Sequence, residues 1–216
     1  MIKRKLKYLF NAFFGKSTFQ RNQFNNVGKV QSRLIAFPWY LLTVFVAILD
    51  LIFLGSIISG IFRISNGNKR LLTHFELGLL SMISNDDDFL LRIVIIENSW
   101  LAKLGRYLNR LDSLGLGIAD TIHFSRTIDP LNKRDQEWLI HEVAHILQYK
   151  YRGLIYIPEA LIAQRFSGYE FGGITTLGKK IPLRAFNPEQ QADIFTFIVL
   201  SVYNCYLKQE IIEGNW

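Results

Sequence analysis

The chain has 216 residues, 25 Lys and Arg against 18 Asp and Glu, and a formal net charge of +7, and half of its residues are hydrophobic. That length suits one domain of about 120 to 150 residues with an attached element, and a single cysteine, Cys205, excludes a disulfide-stapled scaffold. The positive balance fits either nucleic acid or an anionic membrane surface. The aromatics form no RNA-recognition pattern, so no nucleic-acid partner is expected.

Residues 1–35 carry eight basic and no acidic side chains and read as a basic arm. Its KRKLKYLFNAFFGK stretch mixes cations with Leu, Tyr and Phe, as a membrane-surface helix does. Residues 36–62, AFPWYLLTVFVAILDLIFLGSIISGIF, contain one charge, Asp50. The run is long enough to cross a bilayer, although Asp50 at mid-depth costs about 2.5–3.5 kcal/mol. The competing reading is a buried apolar hairpin broken near Gly55 or Gly60. A crossing makes the protein membrane-associated and single-pass, with lipids as partners. The positive-inside rule then places its amino terminus in the cytoplasm. Arg21, Lys29 and Arg33 are balanced by Arg63, Lys69 and Arg70 across the run, which leaves the side of the following domain open.

Beyond the run, LLTHFELGLLSMI has a helical pattern with His74 at its surface. NDDDF is a turn without the ligand spacing of a calcium loop. FLLRIVII reads as a strand, and SWLAKLGRYLNRL as a helix capped by Ser99. Gly115 and Gly117 mark a turn into a short strand, DTIHFS, that contains His123. GYEFGG, at 168–173, lacks the lysine and spacing of a phosphate loop and reads as a flexible lip.

WLIHEVAHILQYK, at 138–150, carries the most specific chemistry. On a helix, His141 and His145 project from one face a turn apart and can reach a single ion, with Glu142 beside them to take a proton from a metal-bound water. Asp129 with Pro130, or Asn132 with Asp135, suits the start of this helix, and Arg152 with Gly153 its end. Zinc in a hydrolase needs a third protein ligand. FNPEQQADIF, at 186–195, offers Glu189, with Asn187 as cap and Pro188 as first helical residue. Asp193, a turn later, is placed to hold the second ring nitrogen of a ligand histidine. Glu159, after Pro158, is the competing third ligand and is ranked below Glu189. Tyr149, His123, Tyr169 and Arg184 are candidates for oxyanion or substrate contacts, with a structural reading preferred for His123.

HEVAH with a downstream EQQAD resembles the gluzincin zinc metallopeptidases. The likeness extends over about 92–206, through RIVII, SWLAKLGRYL, GLGIADTIHFS and HILQYKYRG, to small bacterial zinc-peptidase-like proteins of unknown function. The resemblance implies His141, His145 and Glu189 as zinc ligands, Asp193 behind them, Glu142 as general base, and a peptide or protein substrate. It also implies an edge strand at 121–125 that pairs with that substrate. The expected fold is α+β, with a small sheet packed on a helical HExxH zinc domain (63–216) that follows the hydrophobic segment (36–62). The expected activity is zinc-dependent peptide hydrolysis, and the alternative is a catalytically inactive metal-binding membrane interaction protein.

Overall fold

The computed structural model describes residue 6 and residues 29–51, 54–81, 87–166, 168–179 and 181–213. The expected surface helix at 3–16 lies outside the described residues, apart from residue 6. Helices α1 (Lys29–Leu51) and α2 (Leu54–Ile64) lead into β1 (Asn68–Leu71), α3 (His74–Ser81) and the single turn α4 (Asp87–Leu90). Then come β2 (Val94–Glu97), α5 (Trp100–Asn109), β3 (Gly115–Ile118) and β4 (Thr121–Phe124). The long helix α6 (Lys133–Arg152), a 3-10 turn (Gly153–Ile155) and α7 (Tyr156–Phe166) follow. Short α8 (Gly173–Leu177), a second 3-10 turn (Leu183–Ala185) and α9 (Pro188–Glu213) complete the order. The class is α+β, as expected.

Contacts divide the chain into two units, residues 1–58 with 147–193 and residues 59–146 with 194–216. The second unit holds a four-stranded sheet of order β1-β2-β4-β3. β1 pairs antiparallel with β2, from Asn68 opposite Glu97 to Leu71 opposite Val94. β2 runs parallel to β4, with Ile95 opposite Ile122, and β3 pairs antiparallel with β4, with Gly117 opposite Ile122. The β3–β4 hairpin turns through Ala119, whose φ of 57° is left-handed. The segment expected at the edge is therefore interior. β4 is paired on both sides and buried along its length, and the edge strands of the sheet are β1 and β3.

The core of this unit forms where Ile95, Ile96, Ile122 and Phe124 of the sheet and Leu139, Ile140, Val143 and Ile146 of α6 leave water. Their apolar area is the main favourable contribution to folding here. Trp138 joins the two layers, edge-on to Phe124 at 4.7 Å and under the Arg126 guanidinium at 5.3 Å. β3 runs close against α6 because it is built on glycine. A Cβ on Gly115 would overlap Trp138 and Glu142, and one on Gly117 would sit 2.7 Å from the Glu142 carbonyl oxygen and 3.2 Å from the His145 Cβ. Gly115 and Gly117 are thus strand residues rather than the turn the sequence suggests.

Two other expectations shift locally. The strand read over FLLRIVII is confined to Val94–Glu97, because Phe89 and Leu90 belong to α4. α3 starts with a reciprocal cap that the sequence reading missed: Glu76 N–H donates to Thr73 Oγ1 at 3.2 Å, and Thr73 N–H to Glu76 Oε2 at 2.7 Å. Buried Glu76 also receives Arg70, which bridges to Glu97 at 3.0 Å and so ties α3 to β1 and β2. Across the same unit Phe75 meets Tyr203 of α9 edge-on at 6.0 Å.

In the first unit, α1 packs on the 3-10 turn and on α7, with Ala47 and Ile155 buried and Val44 beside them. Among the described residues no helix is long and apolar enough to cross a membrane. The expected crossing at 36–62 instead comprises the end of α1 and most of α2, with 52–53 outside the described residues. Asp50, expected at mid-bilayer, is buried inside this unit against Gly153, where a Cβ would collide with its carboxylate. Gly153 has φ of 72° and ends α6 as a left-handed residue.

Candidate metal centre

α6 starts where the sequence suggested. Asn132 Oδ1 accepts from the N–H groups of Arg134 at 3.0 Å and Asp135 at 3.3 Å, and so caps the helix. Asp135 does not reach back to Asn132. Its carboxylate takes Arg126 and the Asp129 N–H, and the Arg126 hydrogen bond holds it below the usual carboxylate range. Two turns on, the rings of His141 and His145 stand 4.9 Å apart at 82°. His145 is buried and His141 half-buried.

α9 is positioned by its first turn. Asn187 Oδ1 accepts from Gln190 N–H at 2.9 Å, while Gln190 Oε1 accepts from Asn187 N–H at 3.1 Å, which closes a reciprocal cap. Gln148, three residues after His145 on α6, donates to the Pro188 carbonyl at 2.8 Å. That bond holds the residue before Glu189 to α6. The remaining amides of EQQAD pin the preceding loop: Gln190 donates to the Glu170 carbonyl at 2.7 Å, and Gln191 to the Phe186 carbonyl at 2.8 Å. Asn187 Nδ2 adds a bond to the Gly168 carbonyl at 3.1 Å. The GYEFGG segment, expected as a flexible lip, is thus tethered at two points.

One group of side chains among the described residues can hold a metal. A ligand atom from each of His141, His145 and Glu189 lies within 4.8 Å of the other two. Two imidazoles and a carboxylate are a donor set that zinc accepts. Glu189 is fully buried, and Gln164 of α7 donates to its Oε1 at 2.9 Å. Such a bond orients the carboxylate. Glu159, the competing ligand, is not in the group. It is buried in an ion pair with Arg152.

Glu142 is buried, and its Oε2 accepts the Gly117 N–H at 2.7 Å. Hydrogen-bonded pairs alternate along an antiparallel ladder, and Ser125 N–H donates to the Leu114 carbonyl at 3.0 Å. The register then points the backbone groups of Gly115 and Gly117 away from β4, and the Gly117 N–H goes to Glu142. The sequence reading missed three of these features: the Gly-x-Gly edge over Glu142, Gln148 and Gln164. Gln148 alone had a local signal, since it shares a helix face with His145 at a spacing of three.

The other candidates are placed as follows. His123 is buried in β4, 2.9 Å from Ser99 Oγ through Nδ1 and 3.2 Å from Thr121 Oγ1 through Nε2. The Thr121 hydroxyl donates to the Ile118 carbonyl at 2.9 Å. It therefore accepts from Nε2–H, and when the ring is neutral Ser99 is the donor to Nδ1. Burial pushes the His123 imidazole down to about 4. Both ring nitrogens are engaged within the sheet unit, as the structural reading requires. Ser99 occupies the cap position of α5, but its hydroxyl serves His123 and makes no cap bond. Tyr149 is half-buried and edge-on to Tyr156 at 6.3 Å. Tyr169 and Arg184 are exposed before α9, and Asp193 is half-buried on it. Cys205, also on α9, is exposed. Comparison with known protein families, curated proteins and solved structures returns no match.

Proposed function

We propose that the chain is a zinc-dependent hydrolase of peptide bonds and that His141, His145 and Glu189 hold the ion. The observation that carries this reading is the convergence of those three donors, two from α6 and one from the first turn of α9. Zinc bound there supplies Lewis acidity towards water and a carbonyl oxygen. Glu142 takes the proton of the attacking water and returns it to the leaving amine. The Gly117 N–H keeps the Glu142 carboxylate directed at the β3 edge. An extended peptide adds to that edge through the outward backbone groups of Gly115. Backbone pairing of this kind carries little side-chain selectivity, so the substrate class is unfolded or extended polypeptide. Asp193 sits one turn after Glu189, where a carboxylate can fix the tautomer of a ligand histidine.

The test is zinc content and casein hydrolysis by the purified parent and Glu142→Gln proteins. The parent should bind one zinc and cleave casein. Glu142→Gln should keep the metal and lose at least about a hundredfold in turnover, the scale of a lost general base. A parent without stoichiometric zinc would overturn the reading. Zinc without cleavage would favour the alternative of a catalytically inactive metal-binding protein.

A further inference from the structure

α5 presents three different faces. Leu101, Ala102 and Gly105 form the one turned to the sheet; Ala102 is fully buried, and a Cβ on Gly105 would overlap the Leu114 side chain. Trp100, Leu104, Tyr107 and Leu108, at spacings of three and four, form a second face that is apolar and turned to solvent. Trp100 is 51% exposed, Tyr107 79% and Leu108 69%. Lys103 and Arg106 line the third face, beside the apolar one, and Arg110 follows in the left-handed C-cap. Arg106 and Arg110 also border an open groove of about 610 Å³ that Tyr107 and Leu108 line, with Asp112 as its one carboxylate.

An exposed apolar stripe of this kind marks an interaction site. We infer that it seats α5 in the headgroup layer of an anionic lipid surface, with the apolar face inserted and Lys103, Arg106 and Arg110 on the phosphates. Charge complementarity selects this occupant: the flank of the stripe carries three cations, and the chain as a whole is +7. The aromatics agree, because Trp and Tyr are the side chains that settle at a membrane–water interface. A helix lying in the plane of the interface needs no spanning length, only an apolar face of this width with cations beside it. The inference is independent of the metal centre.

The experiment is co-sedimentation of the full chain with phosphatidylserine–phosphatidylcholine vesicles and with pure phosphatidylcholine vesicles. The parent should bind the first and bind the second more weakly. Each cation near an anionic surface adds about 1 kcal/mol, so Lys103→Gln with Arg106→Gln should lower partitioning by about tenfold or more. Tyr107→Ser with Leu108→Ser should lower it comparably, at unchanged far-UV circular dichroism. All four side chains are exposed, so the replacements leave the core intact. A parent that ignores both kinds of vesicle would overturn the inference and point to an acidic amphipathic protein on this face. It would also be overturned if either double variant bound as well as the parent.

Discussion

At the scale of single residues, three carboxylates that look alike in sequence have separate tasks. Glu189 joins the two histidines, Glu142 faces the sheet edge, and Glu159 neutralises Arg152. Replacing Glu189, Glu159 or the neighbouring Asp193 therefore has a distinct outcome. Glu189→Ala should abolish stoichiometric zinc, because it removes a direct donor. Glu159→Gln should keep zinc and lower stability by about 3–5 kcal/mol, the cost of leaving Arg152 with an unpaired, partly buried charge. Asp193→Asn should retain zinc while affinity or turnover falls about 10 to 100-fold, the effect of losing a partner behind a ligand imidazole. Zinc titration of the three variants separates the roles. Unchanged affinity and turnover in Asp193→Asn would sink its assignment, and zinc loss in Glu159→Gln with retention in Glu189→Ala would exchange the two glutamates.

At the scale of elements, the start of α9 matters more than its length. Asn187 and Gln190 cap each other across the first turn, and Gln148 holds the Pro188 carbonyl, so Glu189 projects from the best-anchored part of the helix. Asn187→Ala should cost about 1 kcal/mol of stability, as loss of a cap does. The loosened turn should also weaken zinc binding, although Asn187 is no ligand. Denaturant midpoints with and without zinc check both effects; a stability loss with unaltered zinc affinity would show that Glu189 is positioned without the cap. α6 is the complementary case, since Asn132 caps it far from the site and its two histidines lie in mid-helix.

At the scale of the molecule, one buried group sets a pH dependence. His123 is neutral in the folded chain and titrates near 4 there, against an ordinary value of 6.5. The unfolded chain therefore takes up a proton between pH 6.5 and 4 that the folded chain refuses, so stability falls as pH falls through that window. Above pH 6.5 the contribution is fully present. Its upper bound is on the order of 3 kcal/mol. Asp135, held below the usual carboxylate range by Arg126, adds a loss that sets in at the acid end of that window and continues below it. Urea midpoints from pH 7 to pH 4 should show the decline in the parent and a much flatter curve in His123→Gln. Equal slopes in the two proteins would assign the decline to other groups.

The sequence by itself determined what depends on neighbours along the chain. The HEVAH spacing, the Asn132 and Asn187 caps, Pro188 as first helical residue and the left-handed Gly153 all follow from local geometry, and each is where its residues require it. Glu189 was legible for the same reason, as a carboxylate in the first turn of a helix whose start could be read. Tertiary structure alone decided the strand order. β2 docks in parallel on β4 rather than on β3, a pairing across 27 positions, from Val94 to Thr121, that no local pattern encodes. That choice buried the strand expected at the edge and left Gly115 and Gly117 there, over Glu142. It also placed His123 in the interior, and with it the hydroxyl of Ser99 that was read as a helix cap. Asp50 differed for a related reason: composition records that a residue lies in an apolar run, but only the packed chain shows that this carboxylate is buried beside Gly153.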